Sequence, residues 1–308
     1  MSVSRRAFLL WTMSAAAAAS AKASGQTPQP EQKAAAAGTD HVGCLADTTL
    51  CIGCRKCEEA CNTRNGLPRP ELPFTDKTAF RSARRPSDRA FTVVNEYPGA
   101  PSRDLSDRKQ TYAKVQCMHC LTPACVSACI VGAMARAKDG AIVYKPEICL
   151  GCRYCMVACP FQIPSYEYNE ALKPRVRKCE FCSNTAGATG ANPACAAACP
   201  TEALVFGKRE SLLALARDRI QKRPDRYLDH IYGENEVGGT SWLYLTGRPG
   251  PEIGLIDVPM TSPARKTEAI QHGIFRYGII PVAFYGALGA MMWRNQRKEK
   301  NDSEGGRP

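Results

Sequence analysis

Sixteen of the seventeen cysteines in this 308-residue chain fall into four runs of four. The first and third runs share the spacing C-x2-C-x2-C-x3-C; the second widens one gap by two residues, and the fourth widens it into a loop. In chain order the four runs are Cys51, Cys54, Cys57 and Cys61; Cys117, Cys120, Cys125 and Cys129; Cys149, Cys152, Cys155 and Cys159; and Cys179, Cys182, Cys195 and Cys199. Thiolates at such spacings are ligands of [4Fe–4S] clusters.

The spacing has a geometric reason. A cubane cluster needs four thiolates that converge from different directions. Three closely spaced cysteines in a tight loop wrap one cube, whereas the fourth begins a short helix and points toward a neighbouring cube. Two runs must therefore pair, each lending its last cysteine to the cluster of the other. Four runs predict four [4Fe–4S] clusters, with iron as the only metal and these cysteines as its ligands.

Other uses of cysteine fit this pattern less well. Structural zinc prefers two C-x2-C pairs separated by a longer loop. A disulfide framework belongs mainly to small exported domains and does not predict four copies of one motif. Cys44 stands outside the four runs, and we expect it to be a free thiol, either buried or on the surface.

The N-terminus carries an export signal in its sequence. Arg5 and Arg6 lie in the context S-R-R-x-F-L, an apolar run follows to about Ala21, and Ala21-Lys22-Ala23 offers a cleavage site. This is typical of a twin-arginine signal over residues 1–23. This route exports proteins that are already folded. A chain whose clusters must be assembled in a reducing cytosol requires such a route. Residues 24–43 are rich in Ala, Gln and Pro, which predicts a linker.

The C-terminus predicts a membrane helix. Tyr277 to Trp293 is a run of residues without a charge, about 25 Å long as a helix and slightly short of the bilayer core. A buried core helix is the alternative interpretation. The basic tail, residues 295–308, favours a transmembrane helix over 273–294 with its C-terminus in the cytoplasm.

Between the two ends, residues 44–207 form the predicted cluster-binding region. Its first two motifs are separated by residues 62–116, a polar insertion expected to be a solvated loop or a docking segment. Hydrophobic patterning predicts four elements outside the motifs: strands over 91–94 and 141–144, a helix over 209–221 and a strand over 241–246. Residues 208–272 are expected to form an extension packed on the cluster domains.

The net charge of +12 could indicate nucleic-acid binding, but an exported, membrane-tethered protein rarely meets nucleic acid. Positive charge near an anionic cluster instead raises its potential. The basic residues closest to motif cysteines in the sequence are Arg55, Lys56, Arg153 and Lys178. His119 either donates a hydrogen bond to a sulfide or only lines a cluster pocket. No triad, phosphate loop or open metal site is evident, which predicts a non-catalytic protein.

These features together resemble a known group, the four-cluster electron-transfer subunits of membrane-bound respiratory enzymes. Within that group the chain is most similar to the HybA family, the iron–sulfur subunit of hydrogenase 2. The segments that carry the closer resemblance are Gln116–Cys120, Gly151–Pro160, Ile231–Gly239, Ala264-Arg265 leading to His272, and the single C-terminal helix. The resemblance implies an α+β fold of two bacterial-ferredoxin-like dicluster domains, one inserted in the other, plus a C-terminal transmembrane helix.

The resemblance also implies which cysteines bind each cluster, because in this group motif one pairs with motif four and motif two with motif three. Every ligand position is cysteine, so four [4Fe–4S] clusters are expected. The implied ligand sets are Cys51, Cys54, Cys57 and Cys199 for cluster 1; Cys179, Cys182, Cys195 and Cys61 for cluster 2; Cys117, Cys120, Cys125 and Cys159 for cluster 3; and Cys149, Cys152, Cys155 and Cys129 for cluster 4.

The partners implied by the resemblance are the small and large subunits of a [NiFe] hydrogenase and a polytopic, quinone-reacting membrane subunit. The cluster domains would lie on the periplasmic side of the cytoplasmic membrane, held by a single-pass helix. Three alternatives remain open: an electron-transfer subunit with the same four clusters in a molybdopterin oxidoreductase or a sulfur-respiration complex, an iron–sulfur carrier or assembly protein, and a zinc-stabilised structural anchor.

Overall fold

A computed structural model describes residues 41–98, 110–183, 192–265, 268–269 and 279–304, which include all seventeen cysteines. The predicted signal peptide and nearly all of the predicted linker lie outside these residues. The chain mixes short helices and strands, as expected for a ferredoxin-like fold. The strands are β1 (Val42–Asp47), β2 (Val93–Pro98), β3 (Gln110–Val115), β4 (Met134–Arg136), β5 (Ile142–Tyr144), β6 (Ser165–Tyr166), β7 (Val176–Arg177), β8 (Leu204–Lys208), β9 (Ile231–Tyr232) and β10 (Trp242–Leu245). The helices are α1 (Lys56–Arg64), α2 (Ala124–Ser127), α3 (Tyr154–Ala158), α4 (Ala194–Ala197), α5 (Arg209–Lys222) and α6 (Ile279–Glu304), with short 3₁₀ turns at Lys77–Phe80, Pro146–Ile148, Glu236–Gly238 and Gly250–Ile253.

A four-stranded sheet in the order β8-β1-β10-β9 supports the first and fourth cysteine motifs. Strand β1 runs parallel to β10 and antiparallel to β8, so the start and the end of the cluster region meet in one sheet. Strand β1 begins at Val42, inside the predicted linker, because its backbone pairs with Lys208 of β8. The cluster region is therefore closed by sequence-distant strands.

The two faces of this sheet have different roles, since side chains alternate along each strand. Leu45 of β1 and Leu243 of β10 point to the face covered by helix α5, in a core with Leu212 and Ala216. The next residues along the strands point to the opposite face and pack among motif cysteines. That second core includes Cys44, Ala46, Trp242, Tyr244, Phe181, Cys117 and Cys195.

Hairpins connect the remaining cluster motifs. The polar insertion holds the antiparallel pair β2–β3, in which Val93 lies opposite Val115, directly before the second motif. The pairs β4–β5 and β6–β7 are shorter and flank the second and third motifs. The insertion, expected to be a solvated loop or a docking segment, thus includes a hairpin with buried residues.

The short motif helices pack in two pairs, α1 against α4 and α2 against α3. Helices α1 and α3 start in the same way: the residues before them, Arg55 and Arg153, adopt left-handed backbone conformations with φ of 63° and 60°. The second residue of each of these motifs is followed by a glycine. The equivalent backbone in motifs one and three follows from their identical spacing.

The patterned segments outside the motifs are confirmed as secondary structure. Helix α5 covers the predicted 209–221, β10 lies within 241–246, and β5 lies within 141–144. Strand β2 starts at Val93 rather than at Phe91 and continues to Pro98. Cys44 is buried and free, which is one of the two placements expected for it. The insertion of one ferredoxin-like domain in another stays a prediction.

Helix α6 contains much of the apolar C-terminal run and continues into the basic tail. Its described side chains include large apolar groups at the surface of the chain, such as Val282 and Tyr285. Among the helices that the structure describes, none combines enough length with enough apolar character to cross a membrane. Residues 273–278 of the predicted transmembrane segment lie outside the described part, and the span stays a prediction.

A buried ion-pair network joins α1 to the insertion. Glu58 is 4 % exposed and binds Arg55, which is 2 % exposed, through Nη2 at 3.0 Å. The Glu58 carboxylate also accepts hydrogen bonds from Arg84 and from the Val94 backbone N–H of β2. One carboxylate therefore holds the first cluster motif against the hairpin.

We expect Glu58→Gln to destabilise the protein, because it leaves the Arg55 guanidinium buried without a balancing charge. Breaking a buried ion pair costs about 3 kcal/mol or more, which lowers Tm by roughly 6–12 °C in a protein of this size. Anaerobic differential scanning calorimetry measures the shift. The neighbouring Glu59 is exposed, so Glu59→Gln is the matched control and should leave Tm unchanged. Equal Tm values for the two variants would contradict the role of Glu58.

Candidate metal centres

The thiols needed for metal binding are all in the reduced form, because none of the seventeen cysteines forms a disulfide. Within the described ranges, no three His, Cys, Asp or Glu side chains approach closely enough to hold one metal ion. A cubane distributes its thiolates over four iron atoms at separate corners, so its ligands lie further apart than those of a single ion.

The first candidate centre is a cavity at the N-terminal end of α1. Cys51, Cys54 and Cys57 line it together with Cys199, which comes from the end of the fourth motif. Cys199 reaches this cavity because α1 packs against α4. The four cysteines are the set that the resemblance assigned to cluster 1.

A second cavity is lined by cysteines of the same two motifs. Cys179, Cys182 and Cys195 line it with Cys61, the last cysteine of the first motif. Cys57 and Cys61 lie about one turn apart on α1, and each lines a different cavity. These four cysteines are the set assigned to cluster 2.

The second and third motifs bring their cysteines together around α2 and α3. Burial raises the pKa of Cys120, and the nearby thiols of Cys117, Cys159 and Cys125 raise it further. These are the four cysteines that the resemblance assigned to cluster 3, and that assignment stays a prediction. Because buried thiols resist ionisation, these cysteines become thiolates readily only when a cation such as iron takes the place of the proton.

The remaining four motif cysteines form the fourth group. Burial raises the pKa of Cys155 to about 11, with contributions from Cys129, Cys149 and Cys152. Cys152 is exposed, unlike the other motif cysteines, so this group lies nearest to solvent. The set is the one assigned to cluster 4.

Glycines in the first and third motifs allow close packing over the cysteine loops. Gly53 has a φ of 64°, and a Cβ built on it would lie 2.4 Å from the Tyr112 ring. Gly151 has a φ of 70°, and its Cβ would lie 3.1 Å from the Tyr166 hydroxyl. A left-handed backbone with an aromatic side chain this close requires glycine.

Two buried nitrogen donors near the cysteines lack acceptors in the part of the chain that the structure describes. Trp242 lines the second cavity, and its Nε1–H has no hydrogen-bond partner. The His119 Nδ1 accepts the Ile142 backbone N–H at 2.9 Å, so the neutral ring carries its hydrogen on the unpartnered Nε2. Cluster sulfides and thiolates accept such hydrogen bonds, so the orphaned donors fit an iron–sulfur group.

The basic residues expected near the clusters differ in their surroundings. Arg55 is paired with Glu58, which also binds Arg84, and Lys56 is exposed. The Arg153 guanidinium lies over the Tyr166 and Tyr168 rings. Lys178 is buried and donates to the backbone oxygens of Ile142 and Cys179. Of the four, Arg55 and Lys178 are buried to the same extent, and Arg55 is the one with a carboxylate partner.

One buried cation was missed in the sequence. Lys114, on β3, lines both the first and the second cavity. Burial alone would lower its pKa, but thiolates of Cys195 and Cys57 outweigh that effect and raise it above the ordinary value. Lys114 precedes Cys117 by three residues, and only the pairing of β3 with β2 brings it between the cavities.

Comparisons with known proteins agree with this chemistry. A model of the 4Fe-4S dicluster domain matches residues 109–209, which include the second, third and fourth motifs. A protein of Nitratidesulfovibrio vulgaris strain Hildenborough is 45% identical over 279 residues, covering 88% of this chain and 73% of that protein. The formate dehydrogenase-O iron–sulfur subunit of Escherichia coli K12 is 32% identical over 250 residues, or 79% of each chain.

A further relative matches over more of the two chains than the formate dehydrogenase subunit does. The hydrogenase-2 operon protein HybA of Escherichia coli O157:H7 is 32% identical over 289 residues. The match covers 85% of this chain and 87% of HybA, and so extends well beyond the cysteine motifs. The chain therefore belongs to the HybA family of iron–sulfur proteins.

Proposed function

We propose that this chain is a non-catalytic electron conduit that carries four [4Fe–4S] clusters between a catalytic subunit and a quinone-reacting membrane subunit. The observation that carries the proposal is that two sets of four motif cysteines line separate cavities, while the other eight belong to the two motifs whose helices α2 and α3 pack together. A bound cluster supplies one-electron transfer. The chain's residues hold each cluster in place, exclude water from most of the thiolates, and present N–H donors to them.

Electrons leave the protein from the region of its surface next to the fourth cysteine group. Cys152 is exposed there, and several large apolar side chains of the same motifs are exposed around the group. These side chains, which we call the exit patch, are Ile130, Ile148, Leu150, Tyr154 and Val157. Exposed apolar side chains close to one site favour a protein interface. The proposed occupant is the polytopic quinone-reacting subunit.

Electrons enter the protein through the region of its surface next to the first cavity. Ile52, beside the ligands Cys51 and Cys54, is an exposed apolar residue at this end. The proposed donor is the small subunit of a [NiFe] hydrogenase bound to its large subunit, in line with the similarity to a hydrogenase-2 operon protein. The alternative donor is a molybdopterin oxidoreductase, favoured by the similarity to a formate dehydrogenase iron–sulfur subunit.

The proposed location is the periplasmic face of the cytoplasmic membrane. The S-R-R-x-F-L signal supports export of the folded protein, and the uncharged C-terminal run with its basic tail supports a single-pass anchor whose C-terminus is cytoplasmic. The exposed apolar side chains of α6, such as Val282 and Tyr285, lack cover within the described chain. Membrane lipid and the helices of the quinone-reacting subunit would cover them.

The exchange of the last cysteine between paired motifs is testable. We expect Cys61→Ser to remove the same EPR signal as Cys182→Ser, because both cysteines line the second cavity. Cys57→Ser should instead affect a different signal. Cys44→Ser is the control and should retain about sixteen irons per chain, the content of four cubanes. If Cys61→Ser and Cys57→Ser removed one common signal, the exchange would be wrong.

The export signal is tested by replacing Arg5 and Arg6 together with lysine. We expect the folded protein, with its iron, to accumulate in the cytoplasm, because the twin-arginine pair is read as an address. Cell fractionation with an iron assay on each fraction measures this. Lys33→Arg, in the predicted linker, is the control. Normal export of the double variant would rule out a twin-arginine signal.

The partners are tested by gentle solubilisation of native membranes and purification through a C-terminal tag. We expect nickel, two hydrogenase subunits and a polytopic membrane protein to be purified together with this chain. Recovery of molybdenum or tungsten with a large pterin-binding subunit would establish the alternative donor. Purification of the chain alone, with clusters lost during gel filtration, would instead indicate a carrier protein.

The same purification tests the two docking ends with a matched pair of variants. Ile52 and Leu150 occupy the same position in motifs one and three and are both exposed. We expect Leu150→Glu to lose the polytopic subunit and retain the catalytic subunits, since a buried carboxylate disrupts an apolar interface. Ile52→Glu should have the opposite effect. Loss of the same partner from both variants would contradict the assignment of the two ends.

A further inference from the structure

Lys114 is a cation enclosed between the first two candidate centres. Its residue is 4 % exposed, and it is the lysine that lines the cavity of Cys51, Cys54, Cys57 and Cys199 and also the cavity of Cys61, Cys179, Cys182 and Cys195. Its ammonium group therefore faces both sets of thiols from one position on β3.

The charge of Lys114 has no carboxylate partner among the described residues. Among the described residues, the side chain of Lys114 makes one hydrogen bond, from Nζ to the Gln116 Oε1, a neutral acceptor, at 2.9 Å. The Nζ also lies 4.2 Å from the centre of the Trp242 ring. An ammonium has three donors and is strongly disfavoured in a protein interior without an opposite charge. The balancing charge must therefore come from the two cavities.

Neighbouring side chains fix the direction of the ammonium group. Gln116 donates through Nε2 to the Tyr244 hydroxyl at 2.6 Å, and that hydroxyl donates to the Lys114 backbone oxygen at 2.8 Å. The three residues form a closed loop of hydrogen bonds, and Trp242 covers one side of the ammonium. The two remaining ammonium hydrogens have no acceptor in the described part of the chain and are free to bind cluster or thiolate sulfur.

We propose that Lys114 is the shared counter-ion of clusters 1 and 2, and that its charge raises the reduction potentials of both. This inference rests on the proposed cluster assignment. A [4Fe–4S] cluster with four thiolates is a net anion and gains a further negative charge on reduction. A cation fixed beside it favours the reduced form, and one cation between two clusters moves both potentials in the same direction.

The test is a redox titration of the intact purified complex, with the clusters monitored by EPR spectroscopy. It is carried out for three substitutions of Lys114. Lys114→Met and Lys114→Gln remove the charge while keeping a side chain of similar length. Lys114→Arg keeps the charge. Lys222→Met is the control, because Lys222 is an exposed residue of α5 paired with Asp218. Signals of clusters 1 and 2 are identified by comparison with Cys57→Ser and Cys182→Ser.

We expect both neutral variants to lower the reduction potentials of two of the four clusters. The equilibrium constant for reduction of each should fall at least about tenfold, which is about 59 mV for a one-electron couple. The other two potentials should be unchanged, and Lys114→Arg should shift all four by less than this. Loss of clusters 1 and 2 in the neutral variants alone, with their retention in Lys114→Arg, would support the same role.

Two results would overturn the inference while leaving the proposed function intact. One is four unchanged potentials in a neutral variant that contains all its iron. The other is equal cluster loss in all three variants whatever their charge, which would mean that Lys114 acts through packing. Failure of the proposed function is distinguishable, since the unmodified chain would then lack about sixteen irons or four cluster signals.

Discussion

The structure depends on one constraint: the four thiols of each candidate centre must converge from two distant segments of the chain. In the first two centres the packing of α1 against α4 meets this constraint, because it brings Cys199 to the first motif and Cys61 to the fourth. The sheet reinforces the same contact, since β1 and β8, which flank these motifs, are paired along most of their length. The helix and strand contacts that form the core are thus the same contacts that bring the cysteine ligands together.

A second requirement follows from enclosing several anions in one small core. Ordinary hydrophobic packing cannot surround them, so the sheet face toward the cysteines carries polar groups that would be costly elsewhere. Among the described residues, the Trp242 and His119 side chains each have an N–H without a hydrogen-bond partner, and Lys114 has no carboxylate partner. On the opposite face, Leu45 and Leu243 pack under α5 among other apolar side chains, and the buried Asp47 carboxylate is paired with Arg219 of α5.

Spacing and periodicity predicted much of this arrangement. The cysteine runs indicated iron–sulfur clusters and the pairing of runs, whereas which runs pair was implied by the resemblance. Apolar periodicity located α5 and β10 within one or two residues. The insertion was harder to predict, because the pairing of β2 with β3 depends on tertiary contacts such as the Val94 N–H to Glu58 hydrogen bond. Lys114 could not be recognised for the same reason: the chain-distant cavities that enclose it have no local signature in the sequence.

The exchange of Cys61 and Cys199 between motifs also bears on synthesis at the ribosome. Because the chain emerges from its N-terminus, three cysteines of the first motif appear early, but the fourth member of their cavity is the last motif cysteine to be made. The third and fourth groups have all their cysteines by residue 159. The ligands therefore become available in a fixed order, with the inner pair of motifs complete while the outer pair still awaits its final residues.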